Sequence, residues 1–263
     1  MGISSDTKDE IFEWDGSLWI PTPAENVTGT LQSSTSFLVR DSRALTLELH
    51  LDRLIRQAKY WKFDFPMDAW VSALTLIHSF IDCWPRIDLI EGNRLVLRIR
   101  AIPTTSDSIS ITTWNGEDPR KLPEIKGPDL SNLMKARAVV NEQGADEGII
   151  CDTSGFIAEG FTTGILWWDG EVLCLPTEKQ PKLVSTAVQA ILGIAVGLGV
   201  KVKAEEAHPE ELHGKAVWTA NALHGIRYVN SWIEGPEVLI DSQKAAVWQK
   251  ILDSFRQEIP TVK

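Results

Sequence analysis

The chain has 263 residues and a mass of 29.3 kDa, enough for one large domain or two modest ones with an ample core. Its 43% hydrophobic and 24% charged residues are ordinary for a globular protein, whereas a formal net charge of -10 excludes the basic face that nucleic acid or an anionic membrane surface needs. No apolar run approaches the roughly eighteen residues of a membrane span, so the expected partner is a small molecule or another protein.

The N-terminal MGISSDTKDE is polar and reads as a frayed cytoplasmic start. Gly2 and Ser5 match a myristoylation pattern only loosely. SLWI at 17–20 and SFLVR at 36–40 read as strands, and RALTL at 43–47 is placed to pair with the second through an Asp41-Ser42 turn. From Glu48 to Lys62 the residues Leu51, Leu54, Ile55, Ala58 and Trp61 recur at three and four, the pattern of an amphipathic helix. A second helix is expected from Asp68 to Trp84, stopped by Pro85. RLVLRIRAI and SISITTW read as strands. The polar segment 115–125, with two prolines, reads as a linker between a domain at 1–114 and another at 126–263.

Beyond it a helix from Leu130 to Gln143 ends at Gly144. Strands follow near 147–151, 156–159, 164–168 and 171–175, with hairpin turns at Ser154-Gly155 and Asp169-Gly170. An apolar helix is expected from Leu183 to Gly197. VKVKAE, a short helix at 209–213, the strand AVWTAN, the segment IRYVNSWI and a helix from Ser242 to Glu258 complete the chain. Cys83, Cys151 and Cys174 are odd in number and lie among apolar residues, so they read as buried free thiols in a reducing compartment. Of eleven tryptophans, the adjacent Trp167 and Trp168 should face opposite sides of a strand, and the set reads as core and interface packing, with an aromatic wall of a substrate pocket as the alternative.

The stretch from Lys126 to Glu159 is the most telling for chemistry. A lysine that bonds an aldehyde cofactor must lose its proton in a partly desolvated place, and Lys126 follows the linker and precedes a helix, where a cleft between domains is expected. Glu159, 33 residues on, ends an apolar strand pattern, where an unpaired carboxylate is costly. Its partner is either a protonated pyridine nitrogen or a nearby basic residue. The first reading points to pyridoxal phosphate acting on amino acids. Phosphate donors are available at Arg53, at Asn221, and at Leu183 and Val184 if these open the helix after Pro181. Arg40, Arg98 and Arg100 are candidates for a substrate carboxylate, the last two on one strand face, or else plain surface charges. His50 reads as a packed or capping residue rather than a base. Phosphate-binding glycine loops, HExxH, paired CxxC and GxSxG are all missing from the sequence, which leaves no metal site to propose.

Four segments, HLDRL at 50–54, IKGPDL at 125–130, GADEGIICDTSGFIAEG at 144–160 and TANALHGIRYV at 219–229, resemble the class IV, fold-type-IV family of pyridoxal-phosphate enzymes, over roughly residues 35 to 235. That family includes aminodeoxychorismate lyase and the branched-chain and D-amino acid aminotransferases. The resemblance implies an α+β fold, with a small N-terminal α/β domain, a larger C-terminal barrel-like domain, and a homodimer. It implies Lys126 as the Schiff-base lysine and proton shuttle, Glu159 at the pyridine nitrogen, and Arg53, the amides near Leu183 and Val184, and Asn221 at the phosphate. The expected function is that of a pyridoxal-phosphate-dependent aminotransferase or lyase acting on an amino or keto acid or on aminodeoxychorismate. The alternative is a non-catalytic or ligand-sensing homologue that has lost its substrate site. Three places depart from the family pattern. Lys182-Leu183-Val184-Ser185 stands for Gly-Ile-Thr-Arg at the phosphate helix, Leu130 or Ser131 for a Tyr or Arg after the lysine, and LQSSTSFLVR for a tyrosine-bearing glycine-rich stretch.

Overall fold

The structure is a computed structural model that describes residues 9–261, so Gly2, Ser5 and most of the polar start lie outside the described residues. The chain forms two units. The first runs to Thr104 and takes in Lys126–Pro128 and the chain from Arg256 onward. It contains β1 (Glu10–Trp14), β2 (Trp19–Pro21), β3 (Leu31–Ser36), β4 (Arg43–Ala44), α1 (Leu47–Tyr60), α2 (Met67–His78), β5 (Arg86–Ile90) and β6 (Arg94–Ile99). Five of these strands form an antiparallel sheet in the order β2-β1-β6-β5-β3.

Strand alternation divides this sheet into an apolar and a polar face. Ile87 and Leu89 of β5 and Leu95 and Leu97 of β6 pack in one core with Leu54 and Ala58 of α1 and Ala73 and Ile77 of α2. Each such large side chain contributes about 2 kcal/mol by leaving water. Arg86, Asp88 and Arg98 share the opposite face, where both arginines bond the buried Asp88 carboxylate.

β3 follows different chemistry. Ser33, Ser34 and Thr35 are buried although polar, and α1 meets two of these hydroxyls with a polar stripe at spacings of three and four. Ser33 Oγ donates to Gln57 Oε1 at 2.7 Å, and Thr35 Oγ1 lies 2.8 Å from His50 Nδ1 and accepts from Arg53 Nη2 at 3.3 Å. The strand expected at 36–40 is replaced by single bridges, Val39 to Cys83 and Arg40 to Arg43. The second helix stops at His78 rather than Trp84, because Ile81 turns the chain at a positive φ of 57° and β5 follows.

The second unit comprises Thr105–Ile125 and Asp129–Phe255. Its elements are β7 (Ser108–Thr113), α3 (Leu130–Glu142), β8 (Glu147–Cys151), β9 (Ile157–Gly160), β10 (Gly164–Asp169), β11 (Val172–Pro176), α4 (Thr186–Gly197), β12 (Val202–Glu205), β13 (Ala216–Asn221), β14 (Gly225–Ile233) and α5 (Ser242–Ser254). The eight strands form one curled mixed sheet in the order β12-β11-β10-β13-β14-β7-β8-β9. β7 pairs in parallel with β14 and β8, which commits it to this unit although the sequence reading put it in the N-terminal domain. The units thus divide the chain differently from the expected 1–114, 115–125 and 126–263. A last strand, β15 (Gln257–Glu258), returns to the first unit and pairs with β4.

Trp167 lies in the core cluster with Ile149 and Val217, while its neighbour Trp168 packs edge-on against Trp218 of β13 and Trp248 of α5, with ring centroids 5.3 Å away in both cases. The three cysteines are free thiols. Cys83 and Cys174 are buried, and Cys151 is half-buried rather than buried as expected. Burial pushes Cys83 up to about 12 and the other two to about 11, so all three are unreactive at neutral pH. Among the described residues, no helix is long and apolar enough to cross a membrane.

Candidate active site

Lys126 is fixed in the first unit by its backbone. Its carbonyl accepts from the Ser34 amide at 2.7 Å, so the polar strand β3 gives it a seat. Gly127 makes that approach possible: it sits at a φ of +137°, and a Cβ there would stand 3.1 Å from the Ser33 backbone. The same unit concentrates positive charge around this seat. His50 is fully buried and held well below the ordinary imidazole range by burial, then by the charges of Arg53 and Lys126, so its ring is neutral. Arg53 is buried, and burial followed by the charge of Arg56 lowers it to about 10, which leaves it cationic at neutral pH. Because Arg53 donates to Thr35 Oγ1, that hydroxyl can turn its own proton toward His50 Nδ1. His50 is therefore a packed residue and not a helix cap.

Glu159, in the second unit, is 9% exposed on β9. Its Oε1 accepts from Arg120 Nη1, and its Oε2 accepts from the Leu183 amide at 3.1 Å. Arg120, with a side chain only 3% exposed, reaches Asp118 through Nε and Nη2 at 2.9 and 2.8 Å and also donates to the Pro181 carbonyl at 3.0 Å. Burial works to lower the Arg120 pKa, but the Asp118 hydrogen bonds and then the charge of Glu159 outweigh it and raise it above the ordinary guanidinium value. Arg120 lies in the segment expected to be a linker. A hint in the sequence was the local Asp118-Pro119-Arg120 pattern, which lets an acid reach an arginine two residues on.

The expected phosphate anchors occupy distinct places. α4 starts at Thr186, not at Leu183, with Ser185 as its cap: the Ser185 hydroxyl accepts from the Val188 amide at 3.3 Å. Leu183 and Val184 therefore belong to the preceding turn, and the Leu183 amide serves Glu159. Gly164 lets the cap approach, since a Cβ there would stand 2.5 Å from Val188 Cγ2. Asn221 closes the turn after β13. Its Oδ1 accepts from the Leu223 and His224 amides at 3.1 and 2.8 Å, and its Nδ2 donates to the Thr162 carbonyl at 3.5 Å. Two neighbouring hydroxyls, Thr163 Oγ1 and Thr219 Oγ1, are buried without a hydrogen-bond partner.

The arginine candidates fare differently. Arg40 makes a surface ion pair with Asp82 at 3.6 Å. Arg98 bonds Asp88 at 3.0 Å. Arg100 donates to the Trp84 carbonyl at 3.1 Å, stacks 3.6 Å from that indole and is lowered to about 10 by burial, then by Arg86.

Pyridoxal phosphate fits the residues of each unit taken separately. In the second, Glu159 is a buried carboxylate oriented by Arg120 and the Leu183 amide, the kind of acceptor that suits a protonated ring nitrogen, and the Thr163 and Thr219 hydroxyls are buried without partners. In the first, Arg53 is a desolvated cation suited to a phosphate.

Comparison with known proteins agrees with the fold. A fold-IV transaminase, CpuTA1, from Curtobacterium pusillum superposes with a TM-score of 0.79 at 16% identity, over 94% of this chain and 97% of the other. A hypothetical aminotransferase from Mycobacterium tuberculosis in its PLP-bound form gives 0.79 at 20% identity, over 94% and 98%. A Legionella pneumophila protein, named provisionally as a 4-amino-4-deoxychorismate lyase, gives 0.76 at 14% identity, over 89% and 98%. No curated protein matches by sequence. The fold is that of the fold-type-IV enzymes. The profile of the class IV amino-transferases matches residues 34–232, and the chain belongs to that family.

Proposed function

We propose that the protein is a pyridoxal-phosphate enzyme that acts at the α-carbon of an amino acid or of aminodeoxychorismate, with Lys126 as the residue that carries the cofactor and moves the proton. The observation that supports this most strongly is Glu159. It is a buried carboxylate whose two oxygens are oriented by Arg120 and the Leu183 amide. Pyridoxal phosphate, when bound, supplies an electron sink for the charge left on a substrate α-carbon.

The chain's own residues then have defined tasks. Lys126, held by the Ser34 amide, takes a proton from the α-carbon through Nζ and returns it. Glu159 faces the ring nitrogen and favours its protonated form. Arg53 binds the phosphate dianion, with Asn221 and the Val184 turn as further contacts, while Leu183 acts by orienting Glu159. Arg98 and Arg100, preorganised by Asp88 and Trp84, are the proposed anchors of the substrate carboxylate, and Arg40 is the outer member of that set. A cytoplasmic homodimer that exchanges amino and keto acids completes the proposal.

Transfer to a keto acid and elimination share the same proton removal. The deciding experiment measures keto-acid-dependent amino transfer against pyruvate release from aminodeoxychorismate by the purified protein. Absence of both, in a protein that binds the cofactor, would point to the non-catalytic homologue.

A further inference from the structure

We infer that Arg120 is a positioning residue: it fixes the Glu159 carboxylate in the orientation that a cofactor ring nitrogen requires. This rests on the function proposed above. Arg120 is the point where three segments meet, namely its own turn through Asp118, β9 through Glu159 and the turn before α4 through the Pro181 carbonyl. Its planar fork is committed two ways. One edge grips Asp118 bidentately, and the remaining Nη1 spans Glu159 and Pro181.

Three consequences follow from this geometry. The Glu159 side chain cannot rotate without breaking bonds on both oxygens, because the Leu183 amide holds the other one. The guanidinium stays protonated across the working pH range, since its proton affinity is raised by its two acids. The turn that carries Leu183 is tied to Arg120 through Pro181, so loss of the arginine loosens both contacts of Glu159 together. A lysine in this place could keep one charge-assisted bond but not the fork. Within the described residues, Asp118 is the second acid of the cluster, with a side chain 40% exposed, so its charge is partly screened by water and Glu159 is the more buried of the two acids that Arg120 orients.

The test compares wild type, Arg120→Gln, Arg120→Lys, Glu159→Gln and the Arg120→Gln/Glu159→Gln double variant, with circular dichroism to confirm folding. Two quantities are read: affinity for pyridoxal phosphate by fluorescence titration, and the pH midpoint of the bound cofactor's visible absorbance. The expected result is about ten-fold weaker binding and a displaced pH midpoint in Arg120→Gln, with partial recovery in Arg120→Lys. The double variant should be no worse than Glu159→Gln, because both substitutions remove one coupled unit. Additive losses, or an Arg120→Gln protein with wild-type affinity and midpoint, would overturn the inference. If Arg120→Gln does not fold, Arg120→Lys decides alone: a wild-type midpoint contradicts the role. Failure of the underlying function is separate, since wild type would then show no Lys126-dependent cofactor absorbance at all.

Discussion

The Leu183 amide donates to Glu159 Oε2 at 3.1 Å, so a backbone group that could have opened a helix instead orients a buried carboxylate. Replacing Glu159 by Gln leaves Arg120 buried with Asp118 as its one anionic partner and puts an amide nitrogen where an acceptor is needed. Unfolding by urea should show a loss of about 1–3 kcal/mol for the cofactor-free protein. Turnover should fall far more than stability, as the ring nitrogen loses its anion.

Gly127→Ala tests the seat of Lys126. Its Cβ would stand 3.1 Å from the Ser33 backbone at a φ of +137°, so the chain must move and the Ser34 to Lys126 hydrogen bond must lengthen or break. The expected cost is about 1–3 kcal/mol of stability, with loss of cofactor binding. A thermal melt and a cofactor titration of the same sample measure both.

Trp218 is fully buried between Trp168 and Trp248, with ring centroids at 5.3 and 5.7 Å. Trp218→Ala should cost about 3–5 kcal/mol and abolish most of the near-ultraviolet circular dichroism of the cluster. Trp218→Phe, which refills much of the space, should cost less than half of that.

His224 contributes to the pH dependence with a definite sign. Burial, then the charges of Arg227 and Arg137, lower it from 6.5 to about 4 in the folded chain. Between these values the unfolded chain binds the proton first, so this contribution to stability is full above pH 6.5 and is lost as pH falls toward 4. Allowing for partial exposure of the ring, the loss is about 1–2 kcal/mol. Urea unfolding at pH 7 and pH 5 should show it in wild type, and His224→Gln should remove this share while leaving that of the buried His50, which is lowered in the same direction. Asp118, held below the ordinary range by Arg120 against the opposing effect of burial, adds a further loss in more acidic solution that the variant retains.

The sequence showed most plainly the elements whose burial is apolar. The hairpins of β8 to β11 stood out because period-two apolar runs are punctuated by Ser154-Gly155 and Asp169-Gly170, and α1 because its stripe is continuous. β3 was hidden because Ser33 and Thr35 are buried by hydrogen bonds to Gln57, His50 and Arg53, a pattern that hydrophobic periodicity does not register. The expected second helix overran to Trp84, since nothing local announces the positive φ at Ile81, and β5 just beyond Pro85 was assigned to no element. Lys126 and Glu159, the proposed cofactor contacts, drew attention by their spacing and setting and by the family resemblance of the segments around them. Arg120 did not, because a proline-rich polar stretch reads as a connector and its partner lies 39 residues further on.

The central claim, that Lys126 carries pyridoxal phosphate, is tested by titrating the purified protein with the cofactor, reducing with borohydride and mapping the modified peptide. Wild type should develop visible absorbance that reduction fixes onto Lys126, and Lys126→Ala should show neither. A chromophore retained by Lys126→Ala after reduction, or label found on another lysine in wild type, would contradict the account.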